Sequence, residues 1–278
     1  KRLGQISEGK EAWLKHCQKY GDGRIHGSVL TNATVSGRCS HRGPNMSQIP
    51  RVGAPYGAEC RALFHAPHGW RQVGVDASGL ELRALSSALS YFDGGEYAKL
   101  VSTDGFDIHT YNAKLFGIFD GNGEIQKKTR ELSKTLIYAL LYGGGPFRIG
   151  SIMDSSLSER KQKNLGYETI DTFYKNFPAL KQLKDKVDER VTERGYLIGI
   201  DGRHLQIRSR HSALNQLLQS TGSLTVKKST CILYEDLKAN KLRWGVHYAF
   251  VAHIHDEIQA LVKPQHVSLY KKLAIDCF

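Results

Sequence analysis

The sequence predicts an α/β fold of the α+β type, in which a strand-bearing platform is interrupted by a helical insertion. Residues 90–205 are rich in helical patterns, whereas the segments on both sides contain the alternating or apolar runs typical of strands. At 278 residues, the chain can bury a core as one large domain or as two modest ones.

The first 56 residues combine a helix with loops and short strands. Residues 1–20 have a helical pattern anchored by Trp13 and Leu14, and Gly21 interrupts it. Residues 24–56 alternate and are rich in turn-forming residues, which favours short strands joined by extended loops.

A strand followed by a helix is predicted next. Residues 72–75 are strand-like, and Ser78 precedes Glu81 by the spacing of a capping box that begins a helix. One apolar face of this helix is formed by Leu82, Leu85 and Leu89.

Helices dominate the centre of the chain. Residues 90–125 are mixed, with breaks at 94–95 and 120–123, and residues 126–142 form a strong helix that a run of glycines stops. Further helices are predicted over residues 158–194.

The last third returns to strands. Residues 196–208 read as a hairpin that turns at Asp201-Gly202, and residues 211–238 fit a long helix. Residues 248–262 read as two strands with a tight turn at His255-Asp256-Glu257.

Two aspartates are candidate metal ligands. Asp76 and Asp256 each close an apolar strand-like run. Hard divalent cations prefer carboxylate oxygens, so two such groups on neighbouring strand ends can hold two metal ions. Alone, each would be read as a turn or helix-capping aspartate.

A basic helix lies between the two aspartates. Arg130, Lys134, Tyr138 and Tyr142 recur every fourth residue and form one stripe, and Leu132, Leu136 and Leu140 form another that should face a core. Arg and Lys one turn apart can hold a triphosphate. Together, the stripe and the aspartates indicate nucleotidyl transfer.

The amino-acid composition limits the kinds of partner and the compartment that are expected. The net charge of +12 favours a polyanion, and no run of residues is apolar and long enough for a transmembrane helix. The N-terminus lacks the apolar core of a signal peptide. It also lacks a Met, so the chain is expected to be a fragment. Five cysteines without a C-x-x-C pair indicate reduced thiols in a cytoplasm.

Several motifs resemble those of the family A, polymerase I-like DNA polymerases. They are Asp76-x-Ser78-x-x-Glu81-Leu82-Arg83, Arg130-x-x-x-Lys134-x-x-x-Tyr138-x-x-x-Tyr142-Gly143, His255-Asp256-Glu257, Ser36-Gly37-Arg38 with Pro44-Asn45-x-x-Gln48, and Asp201-Gly202-Arg203 with Asn215-x-x-x-Gln219. Residues 22–29 and 107–110 are similar to the replicative polymerases of T-odd, short-tailed phages.

The resemblance implies a right-hand polymerase. Residues 1–23 would be the end of a thumb helix, with the thumb mostly absent, and residues 90–205 would be the helical fingers. Residues 24–89 and 206–278 would form an antiparallel-sheet palm that is truncated at its C-terminus.

The resemblance also assigns roles at the reaction centre. Two Mg²⁺ ions, with Mn²⁺ as a substitute, would bind Asp76, the backbone carbonyl of Ala77 and Asp256, while Glu257 either assists a metal or is solvated. Arg130, Lys134 and His109 would hold the triphosphate. Tyr138 would stack on the incoming nucleotide, Tyr142 would lie near the template base, and Glu81 would exclude a ribose 2′-hydroxyl.

Primer-template contacts follow from the same resemblance. Arg38, Gln48, Asn215 and Gln219 would donate to minor-groove acceptors, which are similar for all base pairs, and His255 would help to place the primer terminus. Scattered cations would contact phosphates or only improve solubility: Arg203, Arg208, Arg210, Lys227 and Lys228.

The expected function is template-directed DNA synthesis from dNTPs in phage genome replication, in the host cytoplasm and without a membrane partner. The resemblance implies primer-template DNA and dNTPs as partners, and also a processivity factor such as host thioredoxin, which in some relatives binds a thumb segment expected to be absent here. Three alternatives remain: a single-subunit RNA polymerase, which Glu81 disfavours; an inactive DNA-binding fragment; and a metal-dependent nuclease, which would not need the Arg130–Lys134–Tyr138 stripe.

Overall fold

The computed structural model describes residues 4–119 and 125–278. The strands are β1 (Ser28–Leu30), β2 (Ser40–Arg42), β3 (Arg71–Asp76), β4 (Tyr196–Ile198), β5 (His204–Gln206), β6 (Tyr248–Ile254) and β7 (Glu257–Val262). The helices are α1 (Trp13–Tyr20), α2 (Gly57–Ala62), α3 (Leu80–Asp93), α4 (Glu96–Ser102), α5 (Ile108–Leu115), α6 (Lys127–Leu141), α7 (Pro146–Met153), α8 (Glu159–Asn176), α9 (Pro178–Arg194), α10 (Ala213–Ala239) and α11 (Val267–Asp276). Shorter helical turns cover Gly4–Glu8, Met46–Gln48, Arg210–Ser212 and Pro264–His266.

These elements form two compact units. The first combines the chain up to Ser78 with Ser223–Phe278, and the second is Gly79–Gly222. The sequence predicted a helical insertion over residues 90–205, and the thumb, palm and fingers assignments stay predictions. Every described helix is too short or too polar to span a bilayer.

The first unit is built on an antiparallel sheet in the order β3-β7-β6. Its apolar side chains pack with α10 and α11 in a core that includes Val73, Leu233, Tyr248 and Tyr270. The predicted strands at 72–75 and within 248–262 are therefore confirmed, as is the antiparallel sheet. A second antiparallel pair, β1 with β2, carries the loop of residues 31–39.

The second unit is helical apart from the β4–β5 hairpin. The predicted leucine face of α3 is confirmed, because Leu82, Leu85 and Leu89 are buried. Helix α3 packs on α9, and a stacked pair of rings, Phe116 and Phe173, joins α8 to the end of α5 with 4.0 Å between ring centroids.

Three local predictions need correction or lie outside the described residues. The capping box at Ser78 is wrong: Gly79 is the residue before α3, in a left-handed conformation with φ 63°, and the helix start has no side-chain cap. On α6, Leu132 and Leu140 are only half-buried, because a stripe at every fourth residue drifts around a helix of 3.6 residues per turn. The predicted break at 120–123 lies outside the described residues.

Helices α7 and α8 touch through backbone at two glycines. A Cβ on Gly150 would lie 1.7 Å from the carbonyl oxygen of Gln162, and one on Gly166 would lie 1.8 Å from that of Pro146. Both opposing atoms are backbone, so no side chain can move aside. Close approach of the helices therefore requires glycine at both positions.

Replacing Gly166 with alanine should lower the free energy of unfolding by about 1–3 kcal/mol, the usual cost of overpacking. Urea denaturation would measure it, with Gly145→Ala as the control, because a Cβ at Gly145 meets no atom within 4 Å. Equal midpoints for the two variants would contradict this account of the helix contact.

Candidate active site

Three carboxylates meet at one edge of the three-stranded sheet in the first unit. Strand β3 ends at Asp76, which is paired in register with Glu257 at the start of β7. The backbone N–H of Ala77 donates to the carbonyl oxygen of Asp256 at 3.0 Å. The antiparallel pairing therefore brings together residues that are far apart in sequence. This proximity was predicted from the positions of Asp76 and Asp256 at the ends of strand-like runs.

The charges at this edge repel one another. Burial raises the pKa of Asp76 above its usual value, and the negative charges of Asp256 and Glu257 raise it further. A divalent cation would relieve this repulsion, and its preferred ligands are hard carboxylate oxygens. The chemistry of these donors thus suits such an ion, although within the described residues no group of three or more Asp, Glu, His or Cys side chains is arranged to hold one.

A two-residue turn presents Asp256. Ile254 pairs with Glu257, so His255 and Asp256 alone connect β6 to β7. His255 adopts a left-handed backbone conformation with φ 56°, which costs a residue with a Cβ about 1–2 kcal/mol. Such strain is common at functional sites, where the surrounding structure maintains it.

Glu257 is held by a neighbour, Gln259, whose role was not predicted from the sequence. Gln259 donates from Nε2 to Oε1 of Glu257 and accepts on its own Oε1 from Nε2 of Gln72 at 2.9 Å. Gly74 leaves room for this amide, since a Cβ there would lie 2.4 Å from Nε2 of Gln259. The two-residue spacing of Glu257 and Gln259 on one face of a strand was the available signal.

The loop that carries Arg38 is fixed from the long helix α10. Lys227 donates from Nζ to the carbonyl oxygens of Thr31 and Gly37, the second at 2.6 Å. Lys227 was expected to contact phosphate or solvent, and in the structure it anchors this loop instead. Gln48 ends a short helical turn after the same strand pair, and its carbonyl oxygen accepts from Gln5 at 3.5 Å.

The second unit gathers the predicted nucleotide-binding residues. The ring of His109, in the first turn of α5, lies 6.3 Å from that of Tyr138 on α6, measured between centroids. Ser133 joins the two helices by donating from Oγ to the carbonyl oxygen of His109 at 2.9 Å. Burial lowers the pKa of His109, and the cations Arg130 and Lys134 lower it further.

Arg130 is already paired with carboxylates. Its Nε donates to Asp107 at 2.6 Å, and its Nη1 donates to Glu131 at 2.6 Å. Asp107 lies in the segment 107–110 that is similar to the phage polymerases, but its own role was not predicted. Its position immediately before α5, where Asp commonly caps a helix, was the available signal.

Glu81 and Tyr142 contact each other. The hydroxyl of Tyr142 donates to Oε2 of Glu81 at 2.5 Å, and the rings of Tyr138 and Tyr142 lie 6.1 Å apart. Gly143 follows with φ 80°, and a Cβ there would lie 2.1 Å from the carbonyl oxygen of His211. Only glycine fits, so the Tyr-Gly pair fixes the end of α6 and places Tyr142 beside Glu81.

Asn215 and Gln219 lie one turn apart on α10 and are hydrogen-bonded, with Nε2 of Gln219 donating to Oδ1 of Asn215 at 2.9 Å. Two cations predicted to be near phosphates are engaged within the second unit: Arg203 pairs with Asp201 at 2.7 Å, and Arg210 donates to Thr192. The described contacts thus form three groups: the carboxylate edge, the α5–α6 cluster with Glu81, and this amide pair.

The chain is similar to curated DNA polymerases. The DNA-directed DNA polymerases of Enterobacteria phage T3 and Escherichia phage T7 are each 38% identical to it, over 96% of this chain and 39% of their own length. DNA polymerase I of Thermus aquaticus is 28% identical over 85% of the chain. The chain therefore spans about two fifths of the length of its phage relatives.

The fold has a solved counterpart. The POL domain of Pol1 from M. smegmatis, in complex with DNA primer-template and dNTP, superposes with a TM-score of 0.75 at 21% identity, over 92% of this chain and 45% of that one. This likeness confirms the predicted right-hand polymerase fold. The family model described as DNA polymerase family A matches residues 5–278. The chain therefore belongs to DNA polymerase family A.

Proposed function

We propose that the protein performs template-directed DNA synthesis, adding dNMP from a dNTP to a primer 3′-hydroxyl, in phage genome replication in the host cytoplasm. The observation that carries the proposal is the carboxylate edge. There Asp76 is paired with Glu257, and the next residue, Ala77, donates a backbone hydrogen bond to Asp256. A DNA-binding fragment without activity has no need for mutually repelling carboxylates.

Asp76, Asp256 and the backbone carbonyl of Ala77 would hold two Mg²⁺ ions, or Mn²⁺ in their place, since both prefer hard oxygen ligands. When bound, such ions activate the 3′-hydroxyl and stabilise the charge of the leaving group. Glu257 would contribute negative charge while Gln259 restrains its side chain.

The α5–α6 cluster would bind the incoming nucleotide. Lys134 and Arg130 supply positive charge for the phosphates, and the imidazole of His109, kept neutral by its surroundings, supplies a hydrogen-bond donor. Tyr138 would stack on the base. Glu81, restrained by Tyr142, would occupy the space of a ribose 2′-hydroxyl.

Primer-template DNA would be bound by minor-groove donors and by the turn beside Asp256. The residues proposed for this contact are Arg38, Gln48, Asn215, Gln219 and His255. The proposed regions keep the predicted limits: thumb end 1–23, palm 24–89 and 206–278, fingers 90–205. Host thioredoxin has no support from the fold or the comparisons and is not part of the proposal.

Primer extension on a primed single-stranded template with Mg²⁺ would test the function. Extension with dNTPs is expected, and a lane with rNTPs alone should show none. Preferential use of rNTPs would favour the RNA polymerase alternative, and primer shortening without dNTPs would favour the nuclease. Tight binding of primer-template with neither reaction would favour the inactive fragment.

Tyr138 provides a prediction about substrate choice. In the family, tyrosine rather than phenylalanine at this position relaxes the exclusion of dideoxynucleotides, so Tyr138→Phe should discriminate more strongly against ddTTP. The ratio of kcat/KM for dTTP and ddTTP would be compared in both proteins. An unchanged ratio would contradict the role of this hydroxyl, and Tyr167→Phe on α8 is the matched control.

A further inference from the structure

Asp107 has more hydrogen-bond partners than a helix cap requires. Its Oδ1 accepts from the backbone N–H of His109 at 3.2 Å, which caps α5. Its Oδ2 accepts from the hydroxyl of Thr110 at 2.6 Å and from Nε of Arg130 on α6 at 2.6 Å. One carboxylate therefore connects the first turn of α5 with the first turn of α6, both of which belong to the proposed nucleotide site.

Asp107 and Arg130 both remain charged over a wide range of pH. Burial would raise the pKa of Asp107, but the hydrogen bonds from Arg130, Thr110 and the His109 backbone bring it down to about 2. The side chains of Asp107 and Arg130 are each 35% exposed, and Asp107 is the main cause of the raised pKa of Arg130. The pair is thus ionised at any pH at which DNA synthesis would be measured.

The second carboxylate on Arg130 differs from the first. Glu131 is 54% exposed and follows Arg130 directly in sequence. A surface ion pair of this kind contributes little to stability, so another anion can easily replace its carboxylate. An arriving triphosphate can therefore take the place of Glu131 on Nη1, while Asp107 keeps its bond to Nε.

We propose that Asp107 is a positioning residue for nucleotide binding, which holds the guanidinium of Arg130 by Nε beside His109 and Lys134. The inference rests on the proposed function of this cluster. The side chain of Arg130 has several rotatable bonds. Without the carboxylate, it must be ordered each time a nucleotide binds, and this loss of conformational entropy weakens binding. Asp107 acts through Arg130 and does not itself contact the phosphates.

The test is Asp107→Asn, since asparagine also caps helices well and has nearly the same volume. Steady-state primer extension should give a KM for dNTP that rises by about tenfold, the effect of one lost charge-assisted hydrogen bond, with a smaller change in kcat. Glu131→Gln, the matched control, should leave KM unchanged or lower it. An unchanged or lower KM for Asp107→Asn would overturn the proposal.

A double-mutant cycle separates positioning from a structural role. In an Arg130→Ala background, Asp107→Asn should add no further rise in KM, because the residue through which it acts is gone. The same rise in both backgrounds would overturn the proposal. Should Asp107→Asn unfold, Thr110→Val removes one donor to the same carboxylate without changing charge and should give a smaller rise in KM; no rise would again overturn it.

Binding of dNTP to the protein with primer-template, measured by isothermal titration calorimetry, distinguishes the two levels of failure. If the wild-type protein neither binds dNTP nor extends a primer, the proposed function fails and the inference falls with it. If the wild-type protein does both and Asp107→Asn binds dNTP equally well, only the inference fails.

Discussion

Replacing Asp76 with asparagine is expected to abolish primer extension and, at neutral pH without metal, to raise the melting temperature. Asparagine keeps the shape of the side chain but removes the charge that would hold the metal ions. Because those ions are worth several kcal/mol to the transition state, the rate should fall by about a thousandfold or more.

The stability gain follows from the direction of the pKa shift. The pKa of Asp76 is raised in the folded protein by burial, then by the charges of Asp256 and Glu257. A raised carboxyl pKa means that stability is fullest below the unfolded-state pKa and decreases as pH rises through the folded-state pKa. Above its folded-state pKa the carboxylate is charged and repelled by its neighbours, and asparagine removes that repulsion.

Thermal unfolding in EDTA at pH 7 and near pH 3 would measure this effect. The variant should melt higher than wild type at pH 7, and the difference should shrink near pH 3, where Asp76 is protonated. Asp185→Asn is the control, because Asp185 is an exposed residue of a surface ion pair. A variant that is inactive and also less stable at pH 7 would contradict the electrostatic account of this edge.

Replacing Lys134 with alanine should lower kcat/KM for dNTPs by about a hundredfold or more, because a cation aimed at transferring phosphates stabilises charge that develops in the transition state. Lys134→Arg should recover part of this loss by restoring the charge. Lys127→Ala, at an exposed position of the same helix, is the matched control.

The imidazole of His109 gives a second measurement on the same variant. Lys134 is one of the cations that lower the pKa of His109, so removing its charge should raise that pKa in an NMR titration. Equal activity of Lys134→Ala and Lys127→Ala would contradict the proposed phosphate contact. A changed pKa with unchanged activity would show that Lys134 lies near His109 but does not take part in the reaction.

The parts of the site that depend on local patterns could be predicted from the sequence. Each of the two candidate aspartates ends an apolar run, and such runs form strands that pair, so Asp76 and Asp256 were expected together. The four-residue spacing of Arg130, Lys134 and Tyr138 likewise predicts one face of a helix. These are properties of the backbone period and do not require knowledge of distant contacts.

The parts that depend on contacts between distant segments could not be predicted. Nothing local indicates that Lys227 anchors the loop at Gly37, or that Asp107 takes the Nε of Arg130. The capping box failed for a related reason: Ser78 has the right spacing, but the chain enters α3 through a left-handed Gly79, where no side-chain cap forms. A pattern shows which bonds are available, and the tertiary fold selects among them.

The turn between β6 and β7 also limits how this region can change in length. Only His255 and Asp256 connect the two strands, and β7 pairs residue by residue with β3 up to Asp76. One residue inserted into or deleted from β7 would shift its pairing with β3 and turn alternate side chains to the opposite face of the sheet. The carboxylate edge can therefore accept some substitutions but no insertions, so that a scan of single-residue insertions should find it intolerant while exposed loops accept them.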